Sequence, residues 1–297
     1  MPKSIFRKLF YLLIAIYSFS SVAIAQLKKL TLEDIWTKNT FQIRSFDGFQ
    51  WMKLGNTYSK LIETKSGYEI NQYHIVTGKK LKTIVKSLQL ISENGSQPLD
   101  IDDYSFSSDE SKLLIKTNTT SIYRYSQLAV YYMFDIGTQK LIPISNYEKI
   151  GNATFSPDSK KIAFTKANNL YYTKLLSLEE VAITATGEKN KIIHGHSDWV
   201  YEEELELIRA YEWSRDSRKI AFLTFDESEV KQYNIQKWGD LYPKDYTFKY
   251  PKAGEKNAEV SVSVYDLEER NTKLVLDGKG KDQYIPCLLY TSDAADE

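Results

Sequence analysis

The chain has 297 residues, 42% hydrophobic and 26% charged, a balance that supports a packed core and excludes fibrous and disordered classes. Lys plus Arg equals Asp plus Glu at 39 each, so no net field draws the protein to nucleic acid or an anionic membrane, and any partner is recognised locally. The 22 Tyr, 13 Phe and 5 Trp favour pleated, half-buried surfaces and so β structure.

In chain order, Lys3, Arg7 and Lys8 precede an apolar run from Leu9 to Ile16, and Ala23-Ile24-Ala25 follows in small-x-small order. These are the parts of a secretory signal peptide over residues 1–25, and the run is shorter than the roughly 20 residues needed to span a bilayer. Cleavage after Ala25 leaves a mature chain in an exported compartment, periplasmic or extracellular, with no membrane contact. Export permits disulfides, yet Cys287 is the lone cysteine, so the fold must hold through its core. Asn94, Asn118 and Asn152 open glycosylation sequons.

A phrase then recurs: Phe106-Ser-Ser-Asp-Glu-Ser-Lys-Leu-Leu-Ile, Phe155-Ser-Pro-Asp-Ser-Lys-Lys-Ile-Ala-Phe and Trp213-Ser-Arg-Asp-Ser-Arg-Lys-Ile-Ala-Phe, with a degenerate copy from Trp51 through Gly55 to Leu61. The aromatic ends one strand, Ser-x-Asp makes a tight turn through side-chain to backbone hydrogen bonds, and the apolar stretch begins the next strand. Each unit later carries a second strand and polar turn, as at Tyr73-His-Ile-Val-Thr-Gly, Tyr132-Met-Phe-Asp-Ile-Gly and Val264-Tyr-Asp-Leu-Glu-Glu. Two hairpins per unit, at spacings of 55, 49 and 58 residues, predict an all-β β-propeller of four-stranded blades. Residues 26–286 supply about five blades' worth, with the last unit and the ring incomplete. Residues 287–297, Cys-Leu-Leu-Tyr-Thr-Ser-Asp-Ala-Ala-Asp-Glu, resemble the translation of a sequencing-library adapter and read as a non-native tail.

Between the phrases at Phe155 and Trp213 the pattern is interrupted by Asp198-Trp-Val-Tyr-Glu-Glu-Glu-Leu-Glu-Leu207. Asp198 suits an N-cap, and Leu205, Ile208 and Tyr211 could form an apolar stripe, giving a short acidic helix near residues 198–209. Composition alone makes it a solvated acidic face. His194-Gly195-His196 is a weak metal signal without a well-placed third ligand, so no metal and no cofactor are expected. No Gly-x-Ser-x-Gly nucleophile elbow occurs anywhere in the chain.

Asp198-Trp-Val-Tyr-Glu-Glu-Glu204 resembles the signature of the dipeptidyl peptidase IV family, and Thr31-Leu-Glu-Asp-Ile-Trp36 and Tyr250-Pro-Lys-Ala-Gly254 extend the likeness across residues 27–286. The resemblance implies that Glu203 and Glu204 bind the α-ammonium group of a peptide substrate with a free N-terminus. It also implies that Arg124, in Ile122-Tyr-Arg-Tyr-Ser126, hydrogen-bonds the carbonyl of the second substrate residue. Two carboxylates suit a cation with three N–H donors, and an internal amide in their place would leave both unpaired, which enforces exopeptidase register. The family's Ser/Asp/His triad lies in an α/β-hydrolase domain absent from this sequence, so the chain alone is expected to be inactive. A full-length homodimer is a further implication. Alternatives are a tripeptidyl or other propeller-bearing peptidase, or a non-catalytic propeller binding module.

Overall fold

A computed structural model describes residues 5, 7, 10–11, 29–43, 48–65, 67–93, 95–146 and 148–289; the signal cleavage site at Ala25 and the tail from residue 290 lie outside the described residues. No helix among the described residues is long and apolar enough to cross a membrane. The chain divides into residues 1–47 and 48–297. The first unit contains helix α1 (Leu32–Trp36), which starts where Thr31 Oγ1 accepts the Asp34 N–H at 3.1 Å.

The second unit is a succession of antiparallel sheets. The first holds β1 (Phe49–Trp51), β2 (Thr57–Thr64), β3 (Gly67–His74) and β4 (Lys80–Lys86), and the second β5 (Asp103–Phe106), β6 (Lys112–Ser121), β7 (Gln127–Asp135) and β8 (Lys140–Pro143). The third holds β9 (Gly151–Phe155), β10 (Lys161–Lys166), β11 (Asn169–Lys174) and β12 (Glu179–Ala182). In each, strands pair in sequence order, the meander of a propeller blade.

The fourth sheet departs from that plan. Both β13 (Ile192–His194) and β14 (Tyr211–Trp213) pair with one edge of β15 (Lys219–Asp226). A hairpin of β16 (Gln232–Lys237) and β17 (Lys244–Lys249) precedes β18 (Glu259–Asp266) and β19 (Asn271–Leu276), which complete the sheet. The length that suggested about five blades forms four blade sheets, because residues 195–210 and the β16–β17 hairpin are inserted into the fourth.

The repeated phrase folds as its chemistry dictates. Ser107, Ser156 and Ser214 donate through Oγ to Asp109, Asp158 and Asp216 at 2.6, 2.5 and 2.6 Å. The same aspartates accept the N–H of Ser111, Lys160 and Arg218 at 3.1, 3.1 and 3.0 Å, locking the turn. Between them Glu110, Ser159 and Ser217 take left-handed φ of 57°, 59° and 61°. That conformation aims each side chain at the preceding sheet's turn. Asp158 N–H donates to Ser217 Oγ at 2.8 Å, Asp109 N–H to Ser159 Oγ at 3.3 Å, and Lys53 N–H to the Glu110 carboxylate. Each turn is thus hooked to the one before it.

Period-2 alternation splits every inner strand between two cores. In β6 and β7, Leu113, Ile115, Val130, Tyr132 and Phe134 pack with Ile70 and Val85 of the first sheet, whereas Leu114, Ala129, Tyr131 and Met133 pack with Ile162 and Phe164 of the third. A further core joins Ala163, Leu170 and Tyr172 to Trp213, Ile220 and Phe222. The apolar cores lie between successive sheets, which a lone unit could not bury.

Candidate functional site

The site grows out of the broken edge of the fourth sheet. The strand leaves the ladder after His194 and returns at Tyr211, and the base of the excursion is closed by Ala210 N–H to Gly195 O at 3.0 Å. Gly195 has φ 76°, and a Cβ there would meet Leu170 Cδ1 at 3.0 Å, so the departure point requires glycine.

Within the excursion lies α2 (Trp199–Leu205). Asp198 caps it as expected, accepting the Tyr201 N–H at 2.9 Å. The helix is shorter than the span 198–209. Glu206 turns left-handed at φ 53°, Leu207 N–H closes on the Tyr201 carbonyl at 3.1 Å, and Ile208 and Tyr211 fall outside the helix. Tyr201 seats it instead, 2% exposed, edge-on to Phe225 with centroids 4.9 Å apart and its hydroxyl accepting Ile285 N–H at 2.8 Å.

Three consecutive glutamates then meet three environments, because neighbouring helical positions do not share a face. Glu202 is 1% exposed, and one of its oxygens accepts both Tyr125 N–H at 2.7 Å and Ser126 N–H at 2.9 Å. Those groups belong to the β6–β7 turn of the second sheet, which also carries Arg124. Glu203 is half-buried, and its Oε2 lies 2.9 Å from Arg124 Nε. Glu204 is exposed and makes no ion pair among the described residues. The structure therefore brings Glu203 and Arg124 together and leaves Glu204 beside them on the solvent side.

Glu202 is the residue that sequence reasoning missed. Its signal was present in the acidic run, but its partners lie 77 and 76 positions away. A carboxylate bonded to two backbone N–H groups is a strong tether, since each is a charge-assisted bond.

The histidines are engaged by neutral groups. His194 contacts Thr224 Oγ1 and Thr186 Oγ1 at 2.9 Å each, and His196 contacts Ser197 O at 3.1 Å and Asn168 Oδ1 at 3.2 Å. Burial, with His196 close by, lowers His194 to about 4, so it is neutral at pH 7. No three His, Cys, Asp or Glu side chains among the described residues are grouped to hold a metal ion.

An aromatic cluster ties the β16–β17 hairpin to this region: Trp199 lies 4.3 Å from Tyr250 and 6.2 Å from Phe248, and Tyr123 lies 5.7 Å from Phe248 and 6.3 Å from Tyr246, by ring centroids. Trp199 at the start of α2 and Tyr123 beside Arg124 thus pack on one hairpin. Both halves of the site are steadied by the same insertion.

Comparison with known proteins adds four likenesses. Residues 107–296 match the family described as the dipeptidyl peptidase IV (DPP IV) N-terminal region. Dipeptidyl aminopeptidase B of Saccharomyces cerevisiae is 30% identical over 242 residues, covering 78% of this chain and 29% of that protein. Prolyl endopeptidase FAP of Homo sapiens is 29% identical over 243 residues, covering 81% and 30%. The crystal structure of Porphyromonas gingivalis dipeptidyl peptidase 4 superposes with a TM-score of 0.78 at 36% identity, covering 87% of this chain and 36% of that one. The chain thus spans about a third or less of the length of these relatives. With its four-stranded blade sheets and a match over more than half its length, the chain belongs to the dipeptidyl peptidase IV N-terminal region family.

Proposed function

We propose that the chain is the substrate-binding propeller of an exported serine-type dipeptidyl aminopeptidase releasing N-terminal X-Pro or X-Ala dipeptides. In this reading Glu203 and Glu204 hold the substrate α-ammonium group, and Arg124 binds the carbonyl of the second residue. The triad belongs to an α/β-hydrolase domain beyond the blades, and residues 287–297 are a non-native tail.

The observation that supports the reading best is the Arg124–Glu203 contact across two sheets at 2.9 Å. With Arg124 66% exposed, that pair contributes little to stability, which turns attention to what its free donors and acceptors could bind. Glu203 keeps a second oxygen, Glu204 keeps both, and Arg124 keeps its remaining N–H groups. An ammonium group flanked by a peptide carbonyl matches that order of acceptors and donors.

The test is steady-state kinetics of the complete gene product on Ala-Pro-p-nitroanilide. Glu203→Gln and Glu204→Gln should each lower kcat/KM by about 100-fold or more, the loss expected when a desolvated charge-assisted contact is removed. Both should fold normally, and the N-acetylated substrate should be a poor substrate for wild type and variants alike. Normal turnover by either variant would refute the assigned role. Release of tripeptides would transfer it to the tripeptidyl alternative.

A further inference from the structure

Beside α2 lies a cavity of about 360 Å³, lined by Tyr123, Ser126 and Glu202 but by none of Arg124, Glu203 and Glu204. Its walls come from the β6–β7 turn, the β10–β11 turn, the start of the excursion and the β16–β17 hairpin, with Tyr123, Trp199 and Tyr246 as its aromatic faces. Three carboxyl groups face it: Asp198, Glu202 and Glu227.

Two of those have known work, since Asp198 caps α2 and Glu202 holds the β6–β7 turn. Glu227 has none. It is 6% exposed, and its carboxylate makes no hydrogen bond and no ion pair among the described residues. A buried carboxylate in that position costs several kcal/mol unless something compensates it. No cation near it forms an ion pair with Glu227 among the described residues. Lys249 Nζ, whose charge favours the ionised form, donates to the Ser228 and Val230 carbonyls at 3.1 and 2.6 Å; Lys166 and Lys189 also line the cavity, but Lys166 pairs with Glu180 and Glu148, and exposed Lys189 lies 6.0 Å from the Tyr246 ring centre.

We propose that this cavity is a binding site for a small organic cation of the alkylammonium or guanidinium class, with Glu227 as its counter-charge and Trp199 and Tyr123 as its aromatic walls; the Tyr246 ring is already met by Lys237 at 3.8 Å. A cation there gives Glu227 the ion pair it lacks among the described residues and meets aromatic rings, which attract positive charge. A metal ion fits less well, because no three ligating side chains are grouped among the described residues and the volume suits a molecule with carbon atoms. The site is independent of the proposed substrate-amine contacts, and its failure would leave them standing.

Burial, followed by the charge of Asp198, raises Glu227 to about 7, with Lys249 acting against and Asp226 with the shift; the Tyr123 hydroxyl also faces it. Ionisation is therefore coupled to cation binding in an accessible pH range.

The experiment is titration calorimetry of the intact chain with n-butylammonium, N-acetyl-arginine amide and neutral n-butanol. Wild type at pH 8.5 should bind both cations and not the alcohol. At pH 5.5, where Glu227 is protonated, affinity should fall by about tenfold or more. Near pH 7 binding should release a proton, visible as a buffer-dependent heat. Glu227→Gln should weaken cation binding about tenfold at pH 8.5, also in a Glu203→Gln background where the proposed substrate-amine contact is weakened, whereas Glu229→Gln, at an exposed position, should leave binding unchanged. Tighter binding of the arginine amide would identify a peptide side chain as the source, and tighter binding of butylammonium a free amine. No binding at pH 8.5, equal binding of butanol, or loss in Glu203→Gln alone would overturn the proposal. Should Glu227→Gln fail to fold, the wild-type pH dependence and proton release decide the matter alone: their absence also overturns it.

Discussion

The Ser-x-Asp turns and the α2 excursion join different sheets by one device, a side-chain oxygen accepting backbone N–H groups from another sheet, but they spend it differently. The turns use it three times over, with one backbone N–H per acceptor, through Glu110, Ser159 and Ser217. The excursion uses it once, through the 1%-exposed carboxylate of Glu202 taking two N–H groups at 2.7 and 2.9 Å. Repetition gives the scaffold tolerance, and the single tether gives the site precision at the cost of vulnerability.

The contrast breaks most sharply at Glu202. Glu202→Ala strands two donors of the β6–β7 turn and frees Arg124 from its register with Glu203. Stability should drop by about 2–4 kcal/mol, from one charged acceptor lost to two N–H groups. Activity of the complete enzyme should drop by roughly 100-fold, as for a displacement of about 1 Å in a binding contact. Glu202→Gln, which keeps an acceptor, should recover most of both. Thermal unfolding together with kcat/KM for the two variants checks this, and an Ala variant with unchanged kcat/KM would reduce Glu202 to a packing residue.

A smaller effect separates Glu202 from Glu227, the other buried glutamate near α2. Because the folded-state value of Glu227 is raised to about 7, the folded protein holds that proton more tightly than the unfolded chain, and this contribution to stability is present in full below the unfolded value and is lost as pH rises toward 7. Glu227→Gln keeps the neutral form at every pH. Relative to wild type it should be near neutral at pH 4 and more stable at pH 8 by up to about 3 kcal/mol, the shift converted at 1.36 kcal/mol per unit. Urea denaturation at the two pH values measures the difference. An unchanged difference between them would show that Glu227 is compensated in the folded protein.

The two regions also differ in how far they were legible in the sequence. The repeated turns could be read because every bond inside them spans five residues or fewer, from Ser107 to Lys112 and its counterparts. The Asp198 cap was legible for the same reason. The helix length was not, because its stop depends on a left-handed Glu206, where no glycine announces the conformation. Neither the split pairing of β13 and β14 along β15 nor the tether from Glu202 to residues 125 and 126 leaves a local trace, since both depend on segments brought together only by the packed sheets. In Asp226-Glu227-Ser228-Glu229 nothing distinguishes the buried acid from half-buried Asp226 and exposed Glu229 except the side of β15 on which it emerges.

The smallest expected effect tests whether the repeat hooks matter at all. Ser217→Ala removes the acceptor of the Asp158 N–H and keeps a Cβ at φ 61°, so stability should fall by about 1 kcal/mol. Ser217→Gly also removes the acceptor but relieves the left-handed backbone, which should offset part of that loss. Ser217→Asn supplies a side-chain oxygen in a residue that tolerates left-handed φ, and should stay nearest to wild type. The order Asn, then Gly, then Ala in calorimetric Tm identifies the hook between sheets as a real contribution. If Gly instead matched or exceeded wild type while Asn did not, backbone strain alone would govern the position, and the contact between turns would be a consequence of sheet packing with no stabilising effect of its own.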